Sequence, residues 1–205
     1  MGEGKISVVD YGTGNIASVR NALGFLGIES LAVRSPAGIL KAEKIILPGV
    51  GSFGAAMEKL RENRLDSAIR EAVRNGKPLL GICLGYQILF EKSEESPKAK
   101  GLGLLEGKVV RFSSGKRIPQ IGWNSISVNG NSRLLEGMDS EYVYFVHSFF
   151  PIPEEKSIVS AETDYCGENF ASAVESGNIF GVQFHPEKSS KTGLEILRRF
   201  AEAVE

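Results

Sequence analysis

Apolar and polar positions follow two different rhythms along this chain, and the change falls near its middle. In the first half, uniformly apolar runs at 5–9, 31–33, 44–47 and 78–82 alternate with stretches of helical periodicity, in which Ile16, Val19, Leu23 and Leu26, or Phe53, Met57 and Leu60, recur three or four residues apart. Runs without polar alternation predict strands buried on both faces, and the periodic stretches predict amphipathic helices lying on the sheet. Crossovers of this length demand parallel, right-handed packing. The expected architecture is therefore α/β, an open and mostly parallel sheet flanked by helices on both sides, with ligands bound beyond the strand C-termini.

The second half predicts shorter strands at 109–112, 126–128, 142–145, 157–161, 171–174 and 180–184, separated by polar turns and expected as antiparallel additions to the sheet. Asp164-Tyr165-Cys166-Gly167 has the composition of a hairpin turn. Leu194, Leu197, Phe200 and Val204 share one face of a predicted closing helix, and the charge-rich stretch 91–100, which contains Pro97, is expected as a solvated loop. There is no internal repeat or low-complexity tract, so a single domain over residues 1–205 is expected.

Composition narrows the function classes. The 205 residues are 42% hydrophobic and 24% charged, ordinary for a globular protein, and 24 basic against 25 acidic residues leave a net charge of −1. No global basic field recruits nucleic acid or an anionic membrane, so partners must be recognised locally. Two cysteines make no disulfide framework, no apolar run approaches the roughly 18 residues of a membrane span, and the N-terminus runs into a strand without a leader. A cytoplasmic location is expected.

The candidate chemistry centres on Cys83 in Gly81-Ile82-Cys83-Leu84-Gly85, where an apolar strand gives way to a helical pattern. This is the sequence form of a nucleophile elbow: glycines on both sides permit a sharp turn that projects the side chain at a helix start, where a thiolate is favoured. A lone cysteine is more often a small buried hydrophobe, and the glycines tip the balance. A thiolate needs a base, and the chain has two histidines. His185 follows an apolar strand and precedes Pro186-Glu187, so in extended backbone Glu187 would project to the same side and orient the imidazole, completing a Cys83-His185-Glu187 triad. His147 has no following carboxylate and is assigned a packing or substrate-wall role. In Pro48-Gly49-Val50-Gly51-Ser52-Phe53-Gly54 a strand meets a glycine-rich loop. Its G-x-G-x-x-G spacing also suits a dinucleotide, but no acidic strand end is placed for a ribose. Backbone N–H groups aimed at an oxyanion beside Cys83 account for the same glycines.

These segments, with Asp10-Tyr11-Gly12-Thr13-Gly14-Asn15, Gly85-Tyr86-Gln87, Ile121-Gly122-Trp123-Asn124, Tyr144-Phe145-Val146-His147-Ser148 and Gln183-Phe184-His185-Pro186-Glu187-Lys188-Ser189, resemble the class I (triad) glutamine amidotransferases over nearly the whole chain. Among these the resemblance is nearest to the glutaminase subunits of imidazole glycerol phosphate synthases. It implies a flavodoxin-like core, no cofactor and no metal. It also implies hydrolysis of L-glutamine through a Cys83 thioester, with an oxyanion held by N–H groups at Gly51 and Leu84. His185 would protonate the departing ammonia. Gly49, Gln87, Ser148 and Phe149 would line the glutamine pocket; Phe149 stands where tyrosine is common in the family. A separate (β/α)₈-barrel synthase, forming a heterodimer, would receive the ammonia through a channel and make imidazole glycerol phosphate and aminoimidazole carboxamide ribotide for histidine biosynthesis. Asn15, Trp123, Tyr144 and Lys188 match interface or channel positions, although Trp123 alone equally suits a core and Lys188 a solvated surface. A glutaminase subunit of another amidotransferase or a free-standing γ-glutamyl or peptide hydrolase would share the triad, and a redox or metabolite-binding module would share the fold without turnover.

Overall fold

The computed structural model describes residues 6–113, 117–130 and 132–202. The first half forms β1 (Ile6–Val9), α1 (Ile16–Phe25), β2 (Ser30–Val33), α2 (Pro36–Lys41), β3 (Lys44–Gly49), α3 (Phe53–Glu62), α4 (Leu65–Arg74), β4 (Leu79–Cys83) and α5 (Leu84–Gln87). β5 (Lys92–Ser93), β6 (Gly107–Arg111), β7 (Gln120–Ser125), β8 (Ser127–Val128), β9 (Tyr142–His147), β10 (Phe149–Pro153), β11 (Val159–Tyr165), β12 (Glu168–Ser176), β13 (Ile179–Val182) and α6 (Ser190–Glu202) follow. Lys5 and Val204, expected in the first strand and last helix, lie outside the described residues.

The main sheet has the order β2-β1-β3-β4-β13-β12-β11-β8, and its first five strands are parallel. The expected α/β class is met. Its central strands are apolar throughout because each has two faces to bury: Val8, Ile46, Leu80 and Phe180 pack beneath α1 and α6, while Val9, Ile45, Leu47 and Leu79 pack beneath α2, α3 and α4. Removing either helical layer would expose one whole set.

The second half corrects the sequence expectation in three respects. β13, expected among the antiparallel additions, pairs antiparallel with β12 but parallel with β4, and so becomes the fifth parallel strand. Its partner lies a hundred residues earlier, beyond the reach of local pattern. Second, only β8, β11 and β12 extend the main sheet antiparallel; β6 joins β5 and β10 in a small sheet, and β7 and β9 form a separate two-stranded ribbon. Residues 157–158, expected as strand, lie in a 3-10 turn at Lys156–Ile158. Third, the stretch 91–100 is not simply solvated. Lys92 and Ser93 pair with β6, while Glu95 and Ser96 accept hydrogen bonds from the Phe53 and Gly54 N–H groups and so cap α3. The hairpin at Cys166-Gly167 is as expected, with φ of 53° and 77° at its two central residues. Among the described residues, no helix is long and apolar enough to cross a membrane.

Candidate active site

Cys83 closes β4 and begins the α5 turn with φ 55° and ψ −109°, a conformation that a non-glycine residue holds only when its surroundings over-determine it. They do so here through Gly85, where a Cβ would come within 1.7 Å of the Leu47 carbonyl oxygen. Only glycine lets α5 start this close to β3. The result is a cysteine that is 6% exposed yet opens onto a cavity of about 290 Å³.

That cavity gathers most of the residues singled out in the sequence. Cys83, Leu84, Gln87, Gly51, Ser148, Phe149, His147 and His185 line it. Gly49 is paired in register with Cys83 at the ends of β3 and β4, and Glu187 lies behind His185. Val50, Glu95, Pro119 and Val146 complete the wall and were not singled out. Glu95 was legible only as one charge in a run of charges. Its place in the wall goes with its long-range bond to the Phe53 N–H, which ties the loop to the start of α3.

His185 and Glu187 meet by a different route from the one expected. Pro186–Lys188 is a single 3-10 turn rather than extended backbone, and this turn brings Glu187 Oε1 to 2.9 Å from His185 Nδ1. Both side chains are buried, at 3% and 1% exposure. Glu187 therefore holds the proton on Nδ1 and leaves Nε2 directed at Cys83. Burial disfavours the charged imidazole, but hydrogen bonding and charge from Cys83 and Glu187 outweigh it and raise the His185 pKa to about 10.

Ser189, fully buried, ties the turn to the ribbon. Its Oγ donates to the His185 carbonyl at 2.6 Å and accepts from the Tyr144 N–H at 3.0 Å, while the His185 N–H donates to the Tyr144 carbonyl at 2.9 Å. Tyr144 thus braces the candidate base through its backbone.

His147 is buried and sits between two oxygen-bearing groups. The Phe149 carbonyl, 2.8 Å from Nδ1, can only accept, so the proton of the neutral ring resides on Nδ1; the Gln120 carboxamide stands 2.9 Å from Nε2 with its Oε1 placed there, and donates to the neutral ring when its NH₂ is turned to that side. Burial, assisted by the charge of His185 and opposed by the bond to Phe149, lowers the His147 pKa to about 4. A histidine neutral at working pH suits a wall better than a second base. Between about 4 and 6.5 the unfolded chain binds a proton here that the folded chain does not. The stabilising contribution of His147 is thus complete above the upper value and lost as pH falls towards the lower. His185 has the opposite sign, its contribution being complete below 6.5 and lost as pH rises towards 10, so it adds no slope in the acidic window. Urea unfolding should show wild type losing on the order of 2–3 kcal/mol more than His147→Gln over that acidic window. Equal slopes would contradict a buried neutral His147.

The remaining candidates lie outside the cavity. On the ribbon, Trp123 stacks edge-on with Tyr144 at 6.1 Å between centroids, and the Lys188 ammonium lies 5.9 Å from the Tyr144 ring. Trp123 is exposed, which removes the core alternative, as are Ile121 and Tyr142 on the same face. Asn15 precedes α1 in the loop after β1, half-buried and without a side-chain capping bond. Among the described residues no group of three or more His, Cys, Asp or Glu is placed to hold a metal ion.

Residues 7–204 match the family model described as glutamine amidotransferase class-I. The chain is 47% identical to the imidazole glycerol phosphate synthase subunit HisH of Chlorobaculum tepidum, over 96% of this chain and 99% of that one. It is 46% identical to the chloroplastic imidazole glycerol phosphate synthase hisHF of Arabidopsis thaliana over 95% of this chain, which spans only 33% of that longer protein. Among solved structures, PurLQS from Thermotoga maritima superposes with a TM-score of 0.78 over the full length of both chains at 25% identity.

Proposed function

The chain belongs to the class-I glutamine amidotransferases, and from that premise we propose that Cys83, His185 and Glu187 are the triad with which it hydrolyses L-glutamine as the glutaminase subunit of an imidazole glycerol phosphate synthase in histidine biosynthesis. The observation that carries the residue assignment is the cavity itself. Within it a strained cysteine faces a histidine whose far nitrogen is held by a buried carboxylate.

On this reading Cys83 Sγ attacks the glutamine carboxamide carbon, and the negative charge on its oxygen is met by the N–H groups of Gly51 and Leu84. Collapse breaks the C–N bond, and His185, carrying the thiol proton, delivers it to the departing nitrogen so that ammonia leaves. Water, activated by the now neutral His185, attacks the thioester carbon, and glutamate departs as the thiol is restored. Glu187 keeps Nδ1 protonated throughout. Gln87, Ser148 and the Phe149 segment hold the amino-acid end, and Glu95 supplies a negative charge for the α-ammonium. The Phe149 carbonyl is already engaged by Gln87 and His147, so that segment shapes the pocket more than it bonds the substrate.

A synthase partner follows from the names of the relatives, which describe subunits or, in Arabidopsis, a fused chain of which this one spans a third. We assign the partner as a (β/α)₈ barrel in a heterodimer, seated on Ile121, Trp123, Tyr142 and Tyr144 near Lys188 and Asn15. A single glutaminase domain and a cytoplasmic location belong to the same reading, which the two free cysteines suit. The test is to give such a barrel its phosphoribosyl substrate with either ammonium salt or glutamine. Ammonium should support synthesis by the barrel alone, whereas glutamine should support it only when this chain is added. Glutaramic acid, lacking the α-ammonium, should fail in both. Glutamine-independent peptide or γ-glutamyl cleavage by this chain, with no synthesis, would sink the reading in favour of a free-standing hydrolase.

A further inference from the structure

Gln183 is fully buried, lies two residues before His185, and has no role in the steps above. Its carboxamide belongs to a hydrogen-bonded chain whose direction is set by one unambiguous group. The Phe149 backbone carbonyl accepts from Gln87 Nε2 at 2.8 Å, and because a carbonyl cannot donate, the Gln87 amide must turn its NH₂ that way. The second hydrogen of that NH₂ goes to Gln183 Oε1 at 3.1 Å. This fixes the other end of Gln183: its Nε2 lies 3.8 Å from Cys83 Sγ, within reach of an N–H···S hydrogen bond. The orientation of both amides follows from the carbonyl alone.

We propose that Gln183 is a positioning residue for the nucleophile, donating an N–H to the Cys83 sulfur while its carbonyl locks the Gln87 amide. An N–H donor favours the anionic form of its acceptor, so the bond selects the thiolate and holds Sγ in one rotamer. It also leaves the Gln87 carbonyl oxygen free as an acceptor for the substrate. Besides His185, the sulfur meets the Val146 carbonyl at 3.8 Å, which can accept from a thiol but offers a thiolate nothing. Gln183 therefore discriminates between the two states where Val146 favours the neutral one.

The titratable groups that bear on Cys83 are His185, with Glu187 behind it, on the turn after β13, Tyr11 after β1, His147 on β9 through His185, and Glu95 across the cavity. All are retained when Gln183 alone is changed. The proposal rests on Cys83 as the nucleophile but not on glutamine as the substrate, so its test reads the thiol directly. Iodoacetamide alkylation of Cys83 is followed by peptide mass spectrometry as pH is varied, with the exposed free Cys166 as internal reference. Gln183→Met should move the alkylation midpoint of Cys83 upward by about half to one pH unit, the worth of one hydrogen bond, and leave that of Cys166 in place. Gln183→Glu keeps the shape and the acceptor for Gln87 but sets a carboxylate oxygen against the sulfur, and should move it further. Circular dichroism and urea midpoints establish that each variant is folded. An unmoved Cys83 midpoint in a folded variant, even with turnover lost, overturns the proposal. So does loss of the fold in both variants, which would assign Gln183 to packing.

Discussion

Cys83→Ala is expected to lower glutamine hydrolysis by about 10⁴- to 10⁶-fold while leaving the protein folded, because it removes the attacking atom and little else. The side chain contributes few stabilising contacts: its hydrogen bonds to the Val146 carbonyl and to Gln183 Nε2 are long, at 3.8 Å. Alanine accepts φ of 55° about as poorly as cysteine does, so the elbow strain is unchanged, and the stability difference should stay within about 1–2 kcal/mol. The complementary measurement is covalent. A glutamine-like electrophile should enter the cavity, become trapped on Cys83 and spare Cys166, which lies at an exposed hairpin turn away from the cavity lining. An adduct on Cys166 in the labelled protein, or turnover that survives the alanine variant, would remove Cys83 from the mechanism.

Much of this arrangement was legible in the sequence, and what escaped has a common cause. Runs such as 44–47 and 78–82 announce themselves because a strand buried on both faces must be apolar at every position, whatever lies elsewhere in the chain. The elbow was legible for a similar reason, since the close approach of Gly85 to Leu47 leaves no alternative to glycine. The parallel pairing of β13 with β4 was not, because it joins residues 179–182 to 79–82 and leaves no local mark. The contact between His185 and Glu187 was expected from extended backbone and is made instead by a 3-10 turn, since Pro186 is compatible with both. Glu95 and Gln183 went unassigned because what distinguishes them is a partner far along the chain: Phe53 for one, Cys83 for the other. Charge and amide residues carry functional meaning only through the groups they meet.

The second large effect is expected from the partner. On the proposed reading, glutamine hydrolysis by the isolated chain should be slow and should rise by about 10²- to 10³-fold or more when the barrel and its ligand are both present, the range that one misplaced oxyanion donor commands. The loop at Gly49-Val50-Gly51 is suited to such a change. Val50 is exposed, Gly51 has φ of +100°, and the space around Gly51 is open, with nothing within 4 Å of a Cβ built there. A side chain at Gly51 would therefore act through backbone preference, by opposing the left-handed conformation, and not through collision. The proposed seat for the partner is well placed to bias the site. The face carrying Trp123 and Tyr144 is continuous with Val146, whose carbonyl contacts the Cys83 sulfur, and Tyr144 is hydrogen-bonded through its backbone to His185 and Ser189. A hundredfold activation requires the partner to favour the active arrangement by about 2.7 kcal/mol, a small fraction of the binding energy of a stable heterodimer. Gly51→Ala should accordingly blunt the activation more than it weakens association, with the rate measured by glutamate release and the affinity by titration calorimetry. If the isolated chain hydrolyses glutamine as fast as the liganded complex does, the loop is not a gate. If Gly51→Ala weakens association as much as it lowers the rate, the loop belongs to the docking surface instead.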